Sequence, residues 1–419
     1  MLLPLLLALA PVAPLIQDGS GAEAPERRPA RLVTEPLESP AGSPARLSSV
    51  VRGADGRVLL TWIEDGEEGA AALRLARLGR DGWSEPSTVV RAPDLFLNWA
   101  DFPAAQASAD GTLLVAWLRR GEGPGLAYGV EYAVSTDGGA GWTEPVRLHN
   151  DASPVEHGFV SLAPCGPSAF LAVWLDGREM AAGAHDGEAS GHGHGHGGPM
   201  TLRARLVDRE GRLGRELLLD ERVCDCCQTS VAPLGGAWIA AYRDRSDDEV
   251  RDVAFVRLDP STVGRPRPLH ADGWRIEGCP VNGPQLAPLT DGVAAAWYTG
   301  AGEGAGRVQV AFLGAREVDF SAPVVVDEGA PVGRVAVAPL EDGSVLVGWL
   351  EHLDLERGSA WRLRRVTRAG ERGEPITLAT VPGERASGFL RLAASEDGAI
   401  ATWTDAGPSV RTARVRLVR

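Results

Sequence analysis

Four cysteines carry the most distinctive chemistry of this sequence. Cys224, Cys226 and Cys227 flank Asp225 in one short run, and Cys279 follows farther along the chain. Thiols form disulfides in an oxidising compartment, bind soft metal ions as thiolates, or act as redox pairs. Three alternatives are therefore open: a disulfide between Cys279 and one member of the run, a copper or zinc site, and a redox-active thiol pair.

Histidines offer further metal ligands. His157 is one candidate, and an insertion from His185 to His196 holds the tract Gly191-His192-Gly193-His194-Gly195-His196. Imidazoles in such a tract suit loose metal capture, and a low-complexity insertion without a function is the other interpretation. The fifth cysteine, Cys165, is predicted to be a buried free thiol.

Acidic and aromatic residues form a second set of candidates. Asp101 lies between Trp99 and Phe102, and a carboxylate beside aromatic rings suits a sugar site, although the rings suit packing equally well. Four other acids are candidates for hydrolysis or hard-cation binding. The alternatives for them are an ion pair within one loop and simple solvation. These acids are Asp176, Asp244, Asp247 and Asp248. The candidate ligand-binding residues are Trp99, His157, Asp176, Arg178 and Asn282.

Composition limits the partners. The chain has 419 residues and a formal net charge of −14, and all 42 of its basic residues are arginine. Because phosphate binding needs a basic surface, nucleic acid is excluded as the main partner. A local arginine cluster on this acidic body still suits an anionic small ligand.

The N-terminus predicts export. Residues 1–20 contain a short apolar run of the length of a signal-peptide core, followed by a linker over 21–29. A misassigned start codon and a lipid-facing anchor are the alternatives. No later segment is long and apolar enough to span a membrane, so we expect a periplasmic or secreted protein.

A repeated strand defines the architecture. A short apolar run ending in an aromatic residue recurs seven times, and the aromatic residues are Trp62, Trp117, Trp174, Tyr242, Trp297, Trp349 and Trp403. They are 55, 57, 68, 55, 52 and 54 residues apart, and the long interval contains the His/Gly-rich insertion, residues 179–199. Runs that are apolar on both faces are typical of strands sandwiched between neighbouring sheets.

Each repeat predicts four strands. An Asp-Gly turn such as Asp55-Gly56 precedes most copies, a further strand lies on either side, and Glu-Pro pairs such as Glu85-Pro86 mark an edge strand. Four strands repeated about every 54 residues predict an all-β propeller over residues 30–419. The strand Arg31–Leu37 is expected to complete the last blade. We count seven blades, with six as the alternative.

One motif links the chain to a known family. Ser135, Asp137, Gly139 and Trp142 match the fixed positions of the Asp-box, S-x-D-x-G-x-x-W, and the segment from Ala45 to Val50 is similar to the x-R-I-P-x-L segment of sialidases. The chain thus resembles the sialidase and Asp-box (BNR repeat) β-propeller superfamily. The Asp-box is expected to fasten a hairpin and to take no part in chemistry.

The resemblance implies a site on the top face, the face at which the first strand of each blade begins. Sialidases use three arginines for the substrate carboxylate, a tyrosine nucleophile and an acidic residue, which implies the candidate catalytic set Asp101, Arg46, Arg243, Asp244 and Arg334. All four tyrosines precede the last two blades, where the nucleophile would be expected, which argues against sialidase activity.

The sequence therefore predicts an exported, monomeric, sialidase-like propeller that binds a glycan-like or other small ligand on its top face. Cleavage of a glycan is left open. The alternatives are a metal-binding or redox propeller built on the four cysteines and the His-rich loop, and an interaction scaffold without enzymatic activity.

Overall fold

The computed structural model describes residues 30–418, apart from 67–68, 122–126, 183–197, 260, 303, 305, 355–356, 384 and 406. The predicted signal peptide and linker and the His-Gly tract lie outside the described residues. The strands form seven antiparallel sheets of four strands each, one for every predicted repeat. The alternative of six blades is therefore wrong.

The first strand of the chain, β1 (Arg31–Leu37), belongs to the last blade. Blade one contains β2 (Ala45–Arg52), β3 (Val58–Asp65), β4 (Ala71–Arg77) and β5 (Ser87–Ala92), and blade two contains β6 (Ala104–Ala107), β7 (Leu113–Arg120), β8 (Tyr128–Ser135) and β9 (Val146–Arg147). Blade three contains β10 (His157–Cys165), β11 (Ala169–Asp176), β12 (Met200–Val207) and β13 (Leu217–Val223), and blade four contains β14 (Ser230–Leu234), β15 (Ala237–Arg243), β16 (Val253–Leu258) and β17 (Arg267–Pro268).

Blade five contains β18 (Gln285–Leu289), β19 (Gly292–Thr299), β20 (Arg307–Gly314) and β21 (Val324–Val325). Blade six contains β22 (Pro331–Pro339), β23 (Val345–Asp354), β24 (Gly358–Val366) and β25 (Ile376–Val381). Blade seven contains β26 (Arg391–Ser395), β27 (Gly398–Asp405) and β28 (Ser409–Val418), followed in space by β1. Two short helices occur in loops: α1 (Arg178–Ala182) and a 3-10 turn (Arg385–Ser387).

The ring is closed by the two ends of the chain. β1 pairs antiparallel with β28 from Arg31 opposite Val418 to Leu37 opposite Thr412. This confirms the prediction that the N-terminal strand completes the seventh blade. The described residues form seven hydrophobic clusters, one between each pair of neighbouring blades, including one between blades seven and one.

The repeated aromatic residues lie in the second strand of each blade, and all seven are buried. Each of these strands is covered on both faces by the neighbouring blades, which explains why its sequence is apolar without alternation. The Asp-Gly turns behave as predicted at Gly56, Gly111, Gly343 and Gly398, where φ is positive. Gly292 does not have a positive φ, and it is glycine because a Cβ there would lie 2.2 Å from the Leu313 carbonyl oxygen.

The Asp-box closes the hairpin between β8 and β9. The Ser135 hydroxyl donates to Asp137 Oδ1 at 2.8 Å and accepts from the Gly139 N–H at 2.7 Å, and the Gly141 N–H donates to Asp137 Oδ1 at 2.9 Å. Trp142 packs against the core between blades one and two. The seven four-stranded sheets define a seven-bladed β-propeller, and this turn is its Asp-box. No helix in the described part of the chain has the length and apolar character needed to cross a membrane.

Candidate functional site

Two cavities are associated with the top of the ring. A central channel of 580 Å³ is lined by the first strand of every blade, and Asp101, Gln106, Gln285 and Arg391 are among its polar side chains. A second cavity of 400 Å³, here called the rim pocket, is lined by residues such as Arg46, Trp99, Arg385, Thr404 and Asp405. It lies where blades seven, one and two meet.

The loops that enter the first strands are bent in an unusual way. Among the described residues, five that are not glycine have positive φ. Leu47, Phe159 and Arg334 lie near the start of first strands, and Val281 lies in the loop that enters β18. Positive φ costs a side-chain-bearing residue conformational energy and persists only where surrounding contacts enforce it. The top loops are therefore held in a fixed shape around the channel.

The rim pocket combines an indole with two guanidinium groups. The Arg385 guanidinium carbon lies 5.7 Å from the Trp99 ring centroid, and that of Arg334 lies 4.7 Å from it. Phe389 stacks on Trp99 with ring centroids 5.9 Å apart. Arg46, at the opposite side of the pocket, donates a hydrogen bond to Asp65 and remains about one-third exposed.

The three arginines implied by the family resemblance do not converge. Arg243 is 1% exposed and donates to the backbone carbonyls of Asn282, Arg251 and Tyr298. Arg334 is buried against Trp99 and donates to the Gly388 carbonyl, while burial lowers its pKa to about 10. Arg46 is the member of the set that borders the rim pocket.

Asp101 lines the channel just before β6. Its side chain is buried, and Oδ2 accepts the Phe159 N–H at 2.6 Å. Burial raises the pKa of Asp101 to about 7. Burial, together with the charge of Asp225, raises the pKa of neighbouring Glu156 to about 7 as well. Burial thus favours the protonated form of both carboxyl groups below about pH 7.

Asp244 does not join Asp101. Burial, together with the charges of Asp220 in β13 and of Asp252, raises its pKa to about 6. Asn282 is buried, and its amide binds the Pro280 and Val332 carbonyls and the Arg334 N–H. It therefore holds the entry segments of blades five and six together.

His157, Asp176 and Arg178 form a buried network. His157 stacks on His149 with centroids 3.7 Å apart, and its Nε2 lies 3.1 Å from Asp151 and 3.6 Å from Asp176. Arg178 pairs with Asp176 at 2.6 Å, which confirms the ion pair within that loop and, against the effect of burial, lowers the pKa of Asp176 to about 2. His157 and Asp176 are almost fully buried, and their side chains face one another within this network.

The four cysteines of blades four and five meet at the top face. Cys224 Sγ lies 3.7 Å from Cys226 Sγ and 3.6 Å from Cys227 Sγ, and Cys279 Sγ lies within 4.8 Å of Cys226 Sγ. All five cysteines of the chain are described, and all are free thiols, so the disulfide favoured by the sequence is not formed in this structure. Cys165 is half-buried at the far end of β10, and burial raises its pKa.

Donor groups point at two of these sulfurs. Arg251, which is 1% exposed, donates to Cys224 Sγ at 3.3 Å, and the Asn282 N–H donates to Cys227 Sγ at 3.4 Å. Hydrogen bonds from Cys226 and Cys227, with the Arg251 charge, lower the pKa of Cys224. Gln228 joins the two cysteine loops, because its Oε1 accepts the Gly283 N–H at 3.0 Å.

Several of these residues were not predicted as site residues. Phe389 and Arg391 begin blade seven at the position that Phe102 takes before blade two, so alignment of the repeats offered a signal for them. Arg391 donates to Gln285 at 2.7 Å, and its guanidinium carbon lies 4.7 Å from the Phe102 centroid. Arg251, Arg385 and Glu156 have no comparable signal, since their roles depend on contacts between loops.

No family model and no curated protein match this chain. Solved structures do. A protein of unknown function from Dyadobacter fermentans is 14% identical, with 92% of this chain and 98% of that chain covered and a TM-score of 0.49. The GH93 α-L-arabinofuranosidase of Fusarium graminearum is 15% identical, with coverage of 76% and 92% and a TM-score of 0.48. The intramolecular trans-sialidase from Ruminococcus gnavus is 11% identical, with coverage of 89% and 94% and a TM-score of 0.46. These likenesses concern the fold only.

Proposed function

We propose that this protein is an extracytoplasmic carbohydrate-binding propeller whose rim pocket holds a sugar that carries a carboxylate. The observation that supports it most directly is the contact of the Arg385 guanidinium with the Trp99 ring in a pocket that Arg46 also lines. Export is a prediction from the apolar N-terminal segment, and a glycan ligand suits that location.

The pocket offers each contact that such a sugar needs. A half-buried indole provides an apolar face for a pyranose ring, while Arg46 and Arg385 provide the planar donors that bind carboxylates. Thr404 and Asp405 line the same pocket and suit sugar hydroxyls. On a chain with a net charge of −14, this local pair of arginines is a distinct attraction for an anion.

Binding is favoured over cleavage. Most glycosidases need two carboxyl groups across the scissile bond, and sialidases need a tyrosine. Asp405 is the one carboxylate among the described residues that line the rim pocket, and no tyrosine is among them. Tyr128, Tyr132 and Tyr242 are buried in the blades, and Tyr298 packs edge-on against Trp274.

Calorimetric titration with N-acetylneuraminic acid and with galacturonic acid tests the proposal. We expect binding of at least one of them, weakened about tenfold or more by Trp99→Ala and by Arg385→Ala, because each removed contact contributes roughly 1 kcal/mol or more. Arg368→Ala is the matched control, since this exposed arginine pairs with Asp291 on another part of the surface.

Two results would overturn the proposal. One is the absence of binding to either acid at millimolar concentration while both variants fold normally. The other is turnover of a fluorogenic sialoside by the wild-type protein that survives Trp99→Ala, which would indicate an enzyme with a different site.

A further inference from the structure

Contacts with neighbouring loops fix the positions of the cysteines in the thiol cluster. Cys224, Cys226 and Cys227 lie in the loop between β13 and β14, which is fixed at its start by a hydrogen bond from the Cys224 N–H to the Arg243 carbonyl at 3.0 Å. The following residue, Gln228, donates to the Ala100 carbonyl at 2.7 Å. A Cβ on Gly283 would lie 2.0 Å from the Gln228 carbonyl oxygen, so the loop that carries Cys279 is pressed against this one.

The sulfur positions suit a bound thiophilic ion. Metal–thiolate bonds are about 2.3 Å long, so sulfurs around one ion stand roughly 3.8–4.0 Å apart. The two Sγ–Sγ distances of 3.6 and 3.7 Å from Cys224 need only a few tenths of an ångström to reach that spacing. A disulfide would need about 2.05 Å, a larger displacement in a loop that is tied down on both sides.

The surroundings supply hydrogen-bond donors and positive charge to the cluster. Arg251 and the Asn282 N–H each donate to a sulfur, and donors of this kind stabilise metal-bound thiolates. Arg243, buried behind Cys227, adds a second positive charge, and its side chain donates to three backbone carbonyls. The two arginines thereby partly offset the negative charge that three thiolates bring into this buried region.

We infer that Cys224, Cys226 and Cys227 form a three-thiolate site for a soft monovalent ion, copper(I), and that Cys279 is the thiol through which the ion enters. The site is independent of the proposed sugar pocket, which lies at other blades. Copper(I) fits better than zinc because thiolates select soft ions and zinc requires a fourth, tetrahedral ligand. Cys226 is half-buried, whereas Cys279 is exposed at the edge of the cluster. On binding, three S–H bonds break, three copper–sulfur bonds form, three protons leave and no electron is transferred.

The test uses the full, reduced chain under anaerobic conditions. Copper(I) held by a chromogenic chelator is titrated with protein, and we expect one equivalent to be withdrawn per chain. Cys226→Ser should weaken binding at least 100-fold, because two thiolates remain. Cys165→Ser is the matched control, since this thiol lies at the opposite end of blade three, and it should leave binding unchanged. Cys279→Ser should keep the stoichiometry and slow the transfer.

Copper-edge X-ray absorption of the wild type keeps the inference testable should a variant fail to fold. Three sulfur neighbours at about 2.3 Å are expected. Failure of the reduced protein to compete with the chelator overturns the site. Loss of all binding in Cys279→Ser, or preferential uptake of zinc that requires all four thiols, overturns the three-coordinate assignment.

Discussion

At the scale of single residues, Asp101 shows how burial changes the pKa of a carboxyl group. Its carboxylate accepts a hydrogen bond from the Phe159 N–H, and a Cβ on Gly158 would lie 2.2 Å from its Oδ2, so glycine is needed there. With little water and one donor, the charged form is disfavoured, and the pKa rises to about 7.

Asp101→Asn should stabilise the protein at neutral pH. The unfolded chain releases this proton near pH 4, and the folded chain keeps it until about pH 7, so the wild type loses stability over that interval. The amide oxygen of Asn can still accept the Phe159 N–H. We expect a gain that is small at pH 4, grows as the pH rises and levels off above pH 7, with an upper limit of roughly 4 kcal/mol.

Urea unfolding across this pH range measures the gain. Asp259→Asn is the control, because hydrogen bonds from Ser261 lower the pKa of Asp259 and no gain at neutral pH is expected there. A constant difference between Asp101→Asn and the wild type at every pH would contradict the account of Asp101.

At the scale of elements, the hairpin between β8 and β9 shows what the Asp-box does. Ser135 is buried and bonded to both Asp137 and the Gly139 N–H, and Gly138 and Gly139 have φ of 80° and 85°. The Arg77 side chain of the preceding blade donates to the Gly138 carbonyl, so the turn also joins two blades.

Ser135→Ala should destabilise the protein by about 1–2 kcal/mol, because it leaves the Gly139 N–H without its acceptor. Thermal unfolding measures this loss. Ser84→Ala, in the corresponding hairpin of blade one, is the comparison: its hydroxyl is exposed and accepts the Arg77 N–H at 3.1 Å, so a smaller effect is expected. Ligand titration should be unaffected, and weaker binding in Ser135→Ala would assign the motif a functional role.

At the scale of the whole molecule, stability depends on ring closure. β1 contributes seven paired residues to the last blade, and Leu32 packs on the cluster between blades six and seven. Without β1, the backbone of β28 becomes an open edge that can pair with another chain.

A chain that begins at residue 38 should therefore unfold at a lower temperature and associate, with a loss on the order of 5 kcal/mol. A chain that begins at Ala30 is the reference. Calorimetry and light scattering report the two effects. Equal midpoints and equal scattering for the two chains would show that the seventh blade is stable with three strands.

The sequence by itself determined the blades. The buried aromatic at the end of each second strand, the Asp-Gly turns and the Asp-box are local signals, since each depends on residues close along the chain. Strand Gln285–Leu289 and the closing strand Arg31–Leu37 have the predicted bounds for the same reason.

Only the tertiary structure decided which side chains meet. Arg243 is the last residue of β15 and His157 is the first residue of β10, and both are buried. Arg385 reaches Trp99 and Arg251 reaches Cys224 across different loops. These contacts join residues far apart along the chain. They depend on how the ring orients neighbouring loops, and the pattern of a single strand contains no information about that orientation.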